Sequence, residues 1–554
     1  MKAATSMKYL VLSLISALLL SISWPTYGLP FFLFFALVPL LMAEHTISKF
    51  SKIKRKGWTV FGLSYLTFII WNIVTTGWLY GSKNPDGTHS IAAVVIPVVT
   101  NSLLYASVFT LYHWYKRIQG TYWGLVFFVA VWMAFEKFHL EWELTWPWLN
   151  LGNAFAEYPK LIQWYDTLGA TGGSFWILLV NVYAFYALRI WEAGRQRKTL
   201  IRNSAILAAG IFVPMCISLI RYHSFDEKPS GQVSVLLLQP ELDPYTEKYA
   251  KDSVQILNEL LDLAEKNSKG KIDYYIGPET SIPGYGSISE TGFEQNSLLN
   301  TIKDFTAKKP GSVFATGISS HRFFMNENEA PTNAYKSGQG VWVESYNSAV
   351  QVAPNQTAQV YHKGKLVPGV EIFPYIGVLK PVLGDAMLNL GGTVASLGTD
   401  EKRKVFSNPY NNGKLAPIIC YESIYGEFTT EYVKAGANFL AIMTNDSWWG
   451  VTQGHQQLLA YARLRAIETR REIARAANSG ISAHINAKGD IEADTFYGDR
   501  TTLFAKINLY EGQTFYTRTG DLLSRISIFA LGFLIFYTLI KKLQGIRDAS
   551  KAKK

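Results

Sequence analysis

K-L-A-P-I-I-C-Y-E-S, residues Lys414–Ser423, runs a short apolar strand straight into a thiol and then a carboxylate. A thiol at a strand end stands where an α/β enzyme places a nucleophile. The only other cysteine, Cys216, lies inside the apolar run 205–220. A thiol held in lipid cannot reach Cys420, so the sequence argues against a disulfide framework. A lone buried cysteine is commonly just a small core hydrophobe, but two further strand ends displace that reading. Ile272–Ile276 terminates in Gly277-Pro278-Glu279-Thr280, and Lys363 follows the β-rich run Gln359–His362. Together Glu279, Lys363 and Cys420 supply a base, an electrophilic stabiliser and a nucleophile. A glutamate partly desolvated by apolar strands is expected to have a raised pKa and to accept the thiol proton. The lysine ammonium would hold the oxygen of a tetrahedral intermediate and favour the thiolate.

These strand ends belong to the block 226–519, whose alternating strands and helices predict a layered sheet. Val233–Leu238, Val313–Ile318 and Leu440–Thr444 read as strands, Ser348–Val352 and Gln359–His362 as a hairpin, and Asp252–Lys266 as a helix. The stretch Gly454–Ala477 reads as one long helix, with Leu458, Ala462, Ala466 and Ile473 on an apolar stripe. Two Gly/Pro-punctuated loops, Ser281–Gly292 and Phe373–Gly392, carry Tyr285, Phe373, Tyr375, Ile376, Val378, Leu379 and Leu383. Long apolar loops of this kind predict lids at a membrane-facing entrance.

Outside the block the chain is apolar. Eight runs read as membrane helices: Tyr9–Trp24, Leu29–Met42, Trp58–Tyr80, Ile91–Trp114, Tyr122–Phe135, Ser174–Ile190, Ala205–Ile220 and Ile526–Ile540. The second, fifth and last fall short of the roughly 20 residues a bilayer core requires. Region 1–225 therefore reads as about seven spans, and 520–554 as a last span with a basic tail. Basic residues collect in every second connection: Lys49 to Lys56, Lys116 and Arg117, Arg195 to Arg202, and the tail from Lys541. The positive-inside rule then puts both termini in the cytoplasm and the block 226–519 outside it. This placement accounts for much of the formal charge of +11. It also excludes a nucleic-acid reading, because the basic clusters flank spans rather than forming one groove. Charges within the spans are few, with Glu136 and Lys137 at a span edge, which disfavours a transporter. The histidines are scattered without metal-ligand spacing, and no Gly-rich phosphate loop follows a strand, so neither a metal nor a cofactor is expected.

The chain resembles a known family at several points. P-E-T-S at Pro278–Ser281, Y-H-K-x-x-L-V-P at Tyr361–Pro368 with Glu371 beyond, and I-C-Y-E at Ile419–Glu422 resemble the Glu-Lys-Cys set of the nitrilase, or carbon–nitrogen hydrolase, superfamily. A nitrilase-like domain between seven spans and one is similar to the arrangement of the apolipoprotein N-acyltransferase family. P-W-L-N-L-G at Pro147–Gly152, T-N-D-S-W-W-G at Thr444–Gly450, R-L-R-A-I-E at Arg463–Glu468, R-A-A-N-S-G at Arg475–Gly480 and Y-x-R-x-G-D at Tyr516–Asp521 also look like that family's landmarks.

The resemblance implies an α+β membrane protein of about eight transmembrane helices with an extracytoplasmic α-β-β-α sandwich. It implies Glu279 as general base, Lys363 as oxyanion stabiliser, Cys420 as nucleophile and Glu371 as a second carboxylate. Tyr421, Glu422, Asn347, Tyr249 and Trp448 become supporting or substrate-binding residues. The family's usual asparagine after Gln-Pro is Glu241 here, its tryptophan near the end of that loop is Tyr249, and its V-P-F-G-E appears as V-P-G-V-E. The implied enzyme sits in the bacterial inner membrane as a monomer with its catalytic domain on the periplasmic side. It takes an acyl chain from a phospholipid, holds it as a thioester, and passes it to the α-amino group of a diacylated apolipoprotein. The triad alone also admits a membrane-anchored amidase that hydrolyses a C–N bond of a soluble substrate, but the elaborate membrane region argues against a mere tether, for which one span suffices.

Overall fold

The computed structural model describes residues 2–50, 52–84, 87–248, 250–283, 287–338, 340–375 and 396–551. The N-terminal apolar runs fold as α1 (Lys2–Ile22), α2 (Val38–Phe50), α3 (Lys56–Thr76), α4 (Ile91–Gln119), α5 (Thr121–Glu141), α6 (Tyr165–Gly194) and α7 (Arg197–Ser224). Among the described residues, seven helical stretches are long and apolar enough to cross a bilayer, the last being Leu522–Gly545, and Met7–Ile22 is a shorter apolar helix. The three spans that look short in sequence extend to 20, 21 and 24 residues. Extension draws charges into the helices that the sequence reading leaves at edges or in connections. The buried ones, Lys116, Glu136 and Lys137, are partnered, as membrane-buried charges must be. Lys116 pairs with Glu44. Glu136 accepts from the Trp132 indole and from the Leu151 amide, both at 3.0 Å. Lys137 reaches Asp521 at 3.2 Å and also Glu427. Rings fill the centre of the bundle, where Trp71 meets Trp24 edge-on at 5.2 Å and Tyr105 at 5.3 Å.

The first half of the block 226–519 comprises β1 (Gly231–Gln239), α8 (Ser253–Asn267), β2 (Tyr274–Ile276), β3 (Ile288–Ser289), α9 (Ser297–Ala307), β4 (Val313–Phe324), β5 (Tyr335–Lys336), β6 (Trp342–Val352) and β7 (Gln359–His362). The second half comprises β8 (Phe406–Ser407), β9 (Lys414–Ile419), α10 (Gly426–Lys434), β10 (Phe439–Thr444), α11 (Gln453–Thr469), β11 (Ile473–Ala477), β12 (Ala483–Ile485), β13 (Ile491–Asp494) and β14 (Thr501–Leu509). A short α12 (Phe515–Thr519) leads into α13 (Leu522–Lys551), which holds the last span. The strands make two sheets, β14-β1-β2-β4-β6-β5 and β13-β12-β11-β10-β9-β8, with β3 added on β4 and β7 on β6.

Side-chain alternation fixes the layers. On β1, Leu236 and Leu238 pack with Leu257, Leu260 and Ile302 of α8 and α9. Val233, Val235 and Leu237 point the other way, into a core shared with Leu415, Ile418 and Leu440 of the second sheet. Tyr274 meets Phe439 edge-on at 5.2 Å between the sheets. The second sheet is parallel through β9, β10 and β11, so right-handed crossovers put α10 and α11 together on its outer face. The result is the expected α-β-β-α sandwich. Strand β10 is buried at every residue, F-L-A-I-M-T, as a central parallel strand covered on both faces must be.

One expected element is corrected. Helix α11 ends at Thr469, because Arg470 takes the left-handed backbone, φ +51°, as its C-cap. The chain then turns, and Ile473–Ala477 becomes β11, in register beside Leu440–Thr444. Ile473 therefore belongs to a sheet and not to the helical stripe. Strand β14 was not legible in the pattern, yet it pairs antiparallel with all of β1, from Gly231 opposite Leu509 to Gln239 opposite Thr501. Of the two expected lids, 284–286 and 376–395 lie outside the described residues, and with them Tyr285, Ile376, Val378, Leu379 and Leu383. At the near edge of the second, the Phe373 amide donates to Ser396 Oγ at 3.1 Å and the Tyr375 amide to the Glu143 carboxylate, just beyond α5.

Candidate active site

Three strand ends converge. Glu279 follows β2, Lys363 follows β7 and Cys420 follows β9. The turn bearing Glu279 is pinned to β4: Gly277 N donates to Ala315 O at 2.9 Å, Gly317 N to Pro278 O at 3.0 Å and Ser281 N to Gly317 O at 2.9 Å. That approach requires a glycine at 317. A Cβ there would stand 2.3 Å from Thr280 N and 2.7 Å from Glu279 Cα. Cys420 opens a 3-10 turn, Cys420–Ile424, with φ +48°, a conformation that costs a non-glycine residue on the order of 1–3 kcal/mol and recurs where a nucleophile is presented.

Glu422 holds that turn. Its carboxylate is fully buried and accepts from Ile419 N at 2.7 Å, the Tyr361 hydroxyl at 2.6 Å and Gly364 N at 2.6 Å. It thereby ties the Cys420 turn to both residues flanking the His362-Lys363 step. Ser423 Oγ donates to Cys420 O at 2.7 Å and closes the turn.

The polar centre is a four-residue cluster. Lys363 Nζ donates to Glu279 Oε1 at 3.0 Å and to Glu371 Oε1 at 2.9 Å. Asn347 Nδ2 donates to the same two oxygens at 2.8 Å each. Glu371 Oε2 accepts from Val367 N at 2.8 Å. Lysine and asparagine thus bridge two carboxylates, with Lys363 1 % exposed. Charge-assisted bonds of this kind fix geometry as well as charge.

Electrostatics reverse one expectation. Burial does push the Glu279 carboxyl upward, but the charges of Lys363 and Lys248 and the hydrogen bonds from Lys363 and Asn347 outweigh it, so its pKa is lowered. Burial raises the Cys420 thiol, the Glu279 charge adds to this, and Lys363 opposes it without prevailing. The resting site is therefore a thiol beside a carboxylate, not a thiolate favoured by lysine. Lys363 is held charged: burial works against its ammonium, and Glu279 and Glu371 overcome it. Among the described residues no group of His, Cys, Asp or Glu is placed to hold a metal ion.

The remaining expected site residues fall into two groups. Tyr421 sends its hydroxyl to Thr145 O at 3.1 Å and lies 6.4 Å from the Trp148 ring, linking the Cys420 turn to the membrane region. Trp448 is half-buried; its carbonyl accepts from the Tyr245 hydroxyl at 2.9 Å and its ring meets Tyr245 edge-on. Tyr249 lies outside the described residues. Sequence reasoning missed Lys248, which is buried and donates to Glu279 O at 3.2 Å. Its only sequence signal is its place beside Tyr249.

Residues 235–515 match the carbon-nitrogen hydrolase family, and residues 16–183 match the apolipoprotein N-acyltransferase N-terminal domain. The chain belongs to the carbon–nitrogen hydrolase family. Its kinship extends through the membrane region. An apolipoprotein N-acyltransferase of Chlorobaculum tepidum is 27% identical over 542 residues, covering 96% of each chain. One of Geobacter metallireducens is 25% identical over 528 residues, covering 92% of this chain and 91% of its own. Among solved structures, a carbon-nitrogen hydrolase from Helicobacter pylori aligns with 53% of this chain and 94% of its own, at 14% identity and a TM-score of 0.36. In this family member the sandwich is joined to a multi-span bundle, and the protein resides in the bacterial inner membrane.

Proposed function

We propose that the protein is an apolipoprotein N-acyltransferase, moving an acyl chain from a membrane phospholipid to the α-amino group of a diacylated lipoprotein cysteine. The observation that carries this reading is the union, in one chain, of the Glu279–Lys363–Cys420 cluster with a membrane bundle that shares near full-length likeness to enzymes of that name.

Glu279, ionised at rest, takes the thiol proton as Cys420 Sγ attacks the ester carbonyl of the phospholipid. The charge passes from Glu279 to sulfur and then to the carbonyl oxygen, where the Lys363 ammonium meets it. Collapse breaks the ester C–O bond. Glu279 returns the proton to the departing lysophospholipid oxygen, leaving a thioester on Cys420. In the second half the neutral amine of the lipoprotein attacks the thioester, Glu279 accepts its proton, and collapse releases the amide and restores the thiol. Splitting the transfer lets two bulky lipids use one site in turn. Glu371 and Asn347 keep Lys363 and Glu279 in place, and Glu422 holds the turn that presents Sγ.

In this reading the sandwich lies on the periplasmic side with both termini in the cytoplasm, which the basic connections support. The direct test incubates purified protein in detergent with a phospholipid and a synthetic S-diacylglyceryl-cysteine peptide, and reads products by mass spectrometry. The reading predicts a triacylated peptide and an equimolar lysophospholipid. Free fatty acid in place of the amide contradicts it.

A further inference from the structure

The cluster carries an imbalance that the three-residue mechanism leaves open. Lys363 alone stands against two carboxylates, Glu279 and Glu371, at 3.0 and 2.9 Å. All three are buried or nearly so, where unbalanced charge is costly. The negative charge that travels from Glu279 to Cys420 and on to the oxyanion never leaves this pocket. A second cation is needed through the whole path, and Lys248 supplies one. Its side chain is 2 % exposed and its ammonium donates to the backbone oxygen of Glu279, on a different atom from any that Lys363 uses.

The loop bearing Lys248 is built to hold it there. Asn478 accepts from Leu242 N at 3.1 Å and donates to Leu242 O at 2.6 Å. Asp243 Oδ1 accepts from Tyr245 N and Thr246 N at 2.8 Å each, and Lys248 N donates to Asp243 O at 2.9 Å. The Tyr245 hydroxyl then bridges two other segments, accepting from Lys83 N at 3.0 Å and donating to Trp448 O at 2.9 Å. Lys83 belongs to the connection between α3 and α4, so the loop is anchored to the membrane region as well as to the sandwich.

We propose that Lys248 is a positioning residue for the acyl transfer proposed above: its ammonium fixes the Glu279 turn and gives the two-carboxylate cluster its second positive charge. Lys248 transfers no proton and forms no bond to the acyl group. Burial lowers its pKa to about 8, while the charges of Glu279 and Cys420 work to raise it. The groups facing it and its partners are Glu279, Cys420 and Lys363, with Glu371 beyond Lys363 and Asp446 acting on Cys420. As pH rises through about 8 the second charge is lost, and with it the charge-assisted bond that holds the Glu279 turn.

Two rates on the full-length protein in detergent test this, each followed at Cys420 by peptide mass spectrometry across pH. One is acylation by dioleoyl-phosphatidylglycerol in mixed micelles. The other is alkylation by iodoacetamide without lipid. Lys248→Met is expected to slow both more than about tenfold at pH 7, with the KM for lipid held within about twofold. Lys248→Arg, whose guanidinium stays charged, is expected to keep most of the rate and carry the alkaline limb to higher pH. If Lys248→Met fails to fold, the limb in Lys248→Arg decides alone. The proposal is overturned if Lys248→Met keeps both rates, or if Lys248→Arg leaves the alkaline limb where the wild type has it. A wild type that forms no acyl adduct overturns the acyltransferase reading, while the alkylation profiles still decide the role of Lys248.

Discussion

At Glu279 two opposing effects meet, and their balance sets how the reaction depends on pH. Burial alone would raise its carboxyl, but Lys363, Lys248 and Asn347 together lower it. Glu279 therefore stays a carboxylate as the medium is acidified, and its capacity to accept the thiol proton is lost only as pH falls through that lowered value. Formation of the acyl-enzyme should be flat from neutral pH down to the ordinary carboxylate range near 4.3. The amide-forming half needs a neutral amine and should weaken already below about 8. Rapid-quench measurement of each half separates the two profiles, and an acylation limb at pH 6 would contradict the assignment of Glu279. Glu279→Gln should cost acylation about 10²–10⁴-fold, and Lys363→Met about 10²–10³-fold, like the loss of one oxyanion donor. The strand-end placement of Glu279, Lys363 and Cys420 was legible in the sequence because each follows a β-rich run at a turn. The direction of the Glu279 shift was not, because it depends on Lys363, Lys248 and Asn347 acting together, which the fold brings in from 84, 31 and 68 residues away.

Elements hold these residues through a few close approaches. β4 touches the Glu279 turn so tightly that a methyl group at Gly317 would overlap Thr280 N and Glu279 Cα. Gly317→Ala should displace the base without removing it, and a misplacement of about 1 Å can cost roughly 10²-fold. The expectation is a fall in kcat with the lipid KM and the circular dichroism spectrum kept; full activity would show that the turn relaxes freely. The same scale marks where sequence reading runs out. The apolar positions from Gly454 onward continue past Thr469, and only the left-handed Arg470 reveals that a helix gives way to a strand. β14 reads poorly because four of its first residues are partly or fully exposed, yet its pairing with β1 closes the first sheet. Glu422 drew notice as a neighbour of Cys420. Its part as a brace between Ile419, Tyr361 and Gly364 rests on long-range contacts that no local pattern carries.

Across the whole molecule, the sandwich is bolted to the bundle by polar contacts, and this shapes what the enzyme can reach. Lys137 of α5 meets Glu427 of α10 and Asp521 at the start of α13, while Tyr421 and Tyr425 both reach Thr145. The Cys420 turn and the helix after it thus rest on the membrane region. On the proposed orientation, a reporter active only outside the cytoplasm should work when fused after Lys228 and stay silent after Lys198. The reverse would place basic residues on the wrong side at about 1 kcal/mol each near an anionic surface, and two silent fusions would refute the orientation. The central claim is covalent, and one measurement addresses it. Purified protein is incubated with phospholipid alone, and the mass of the peptide containing Cys420 is read before and after neutral hydroxylamine. The account predicts one acyl group on Cys420 that hydroxylamine removes, that disappears when a diacylated lipoprotein peptide with a free amine is added, and that never forms in Cys420→Ala. An unmodified Cys420 peptide, or transfer that survives Cys420→Ala, would contradict it.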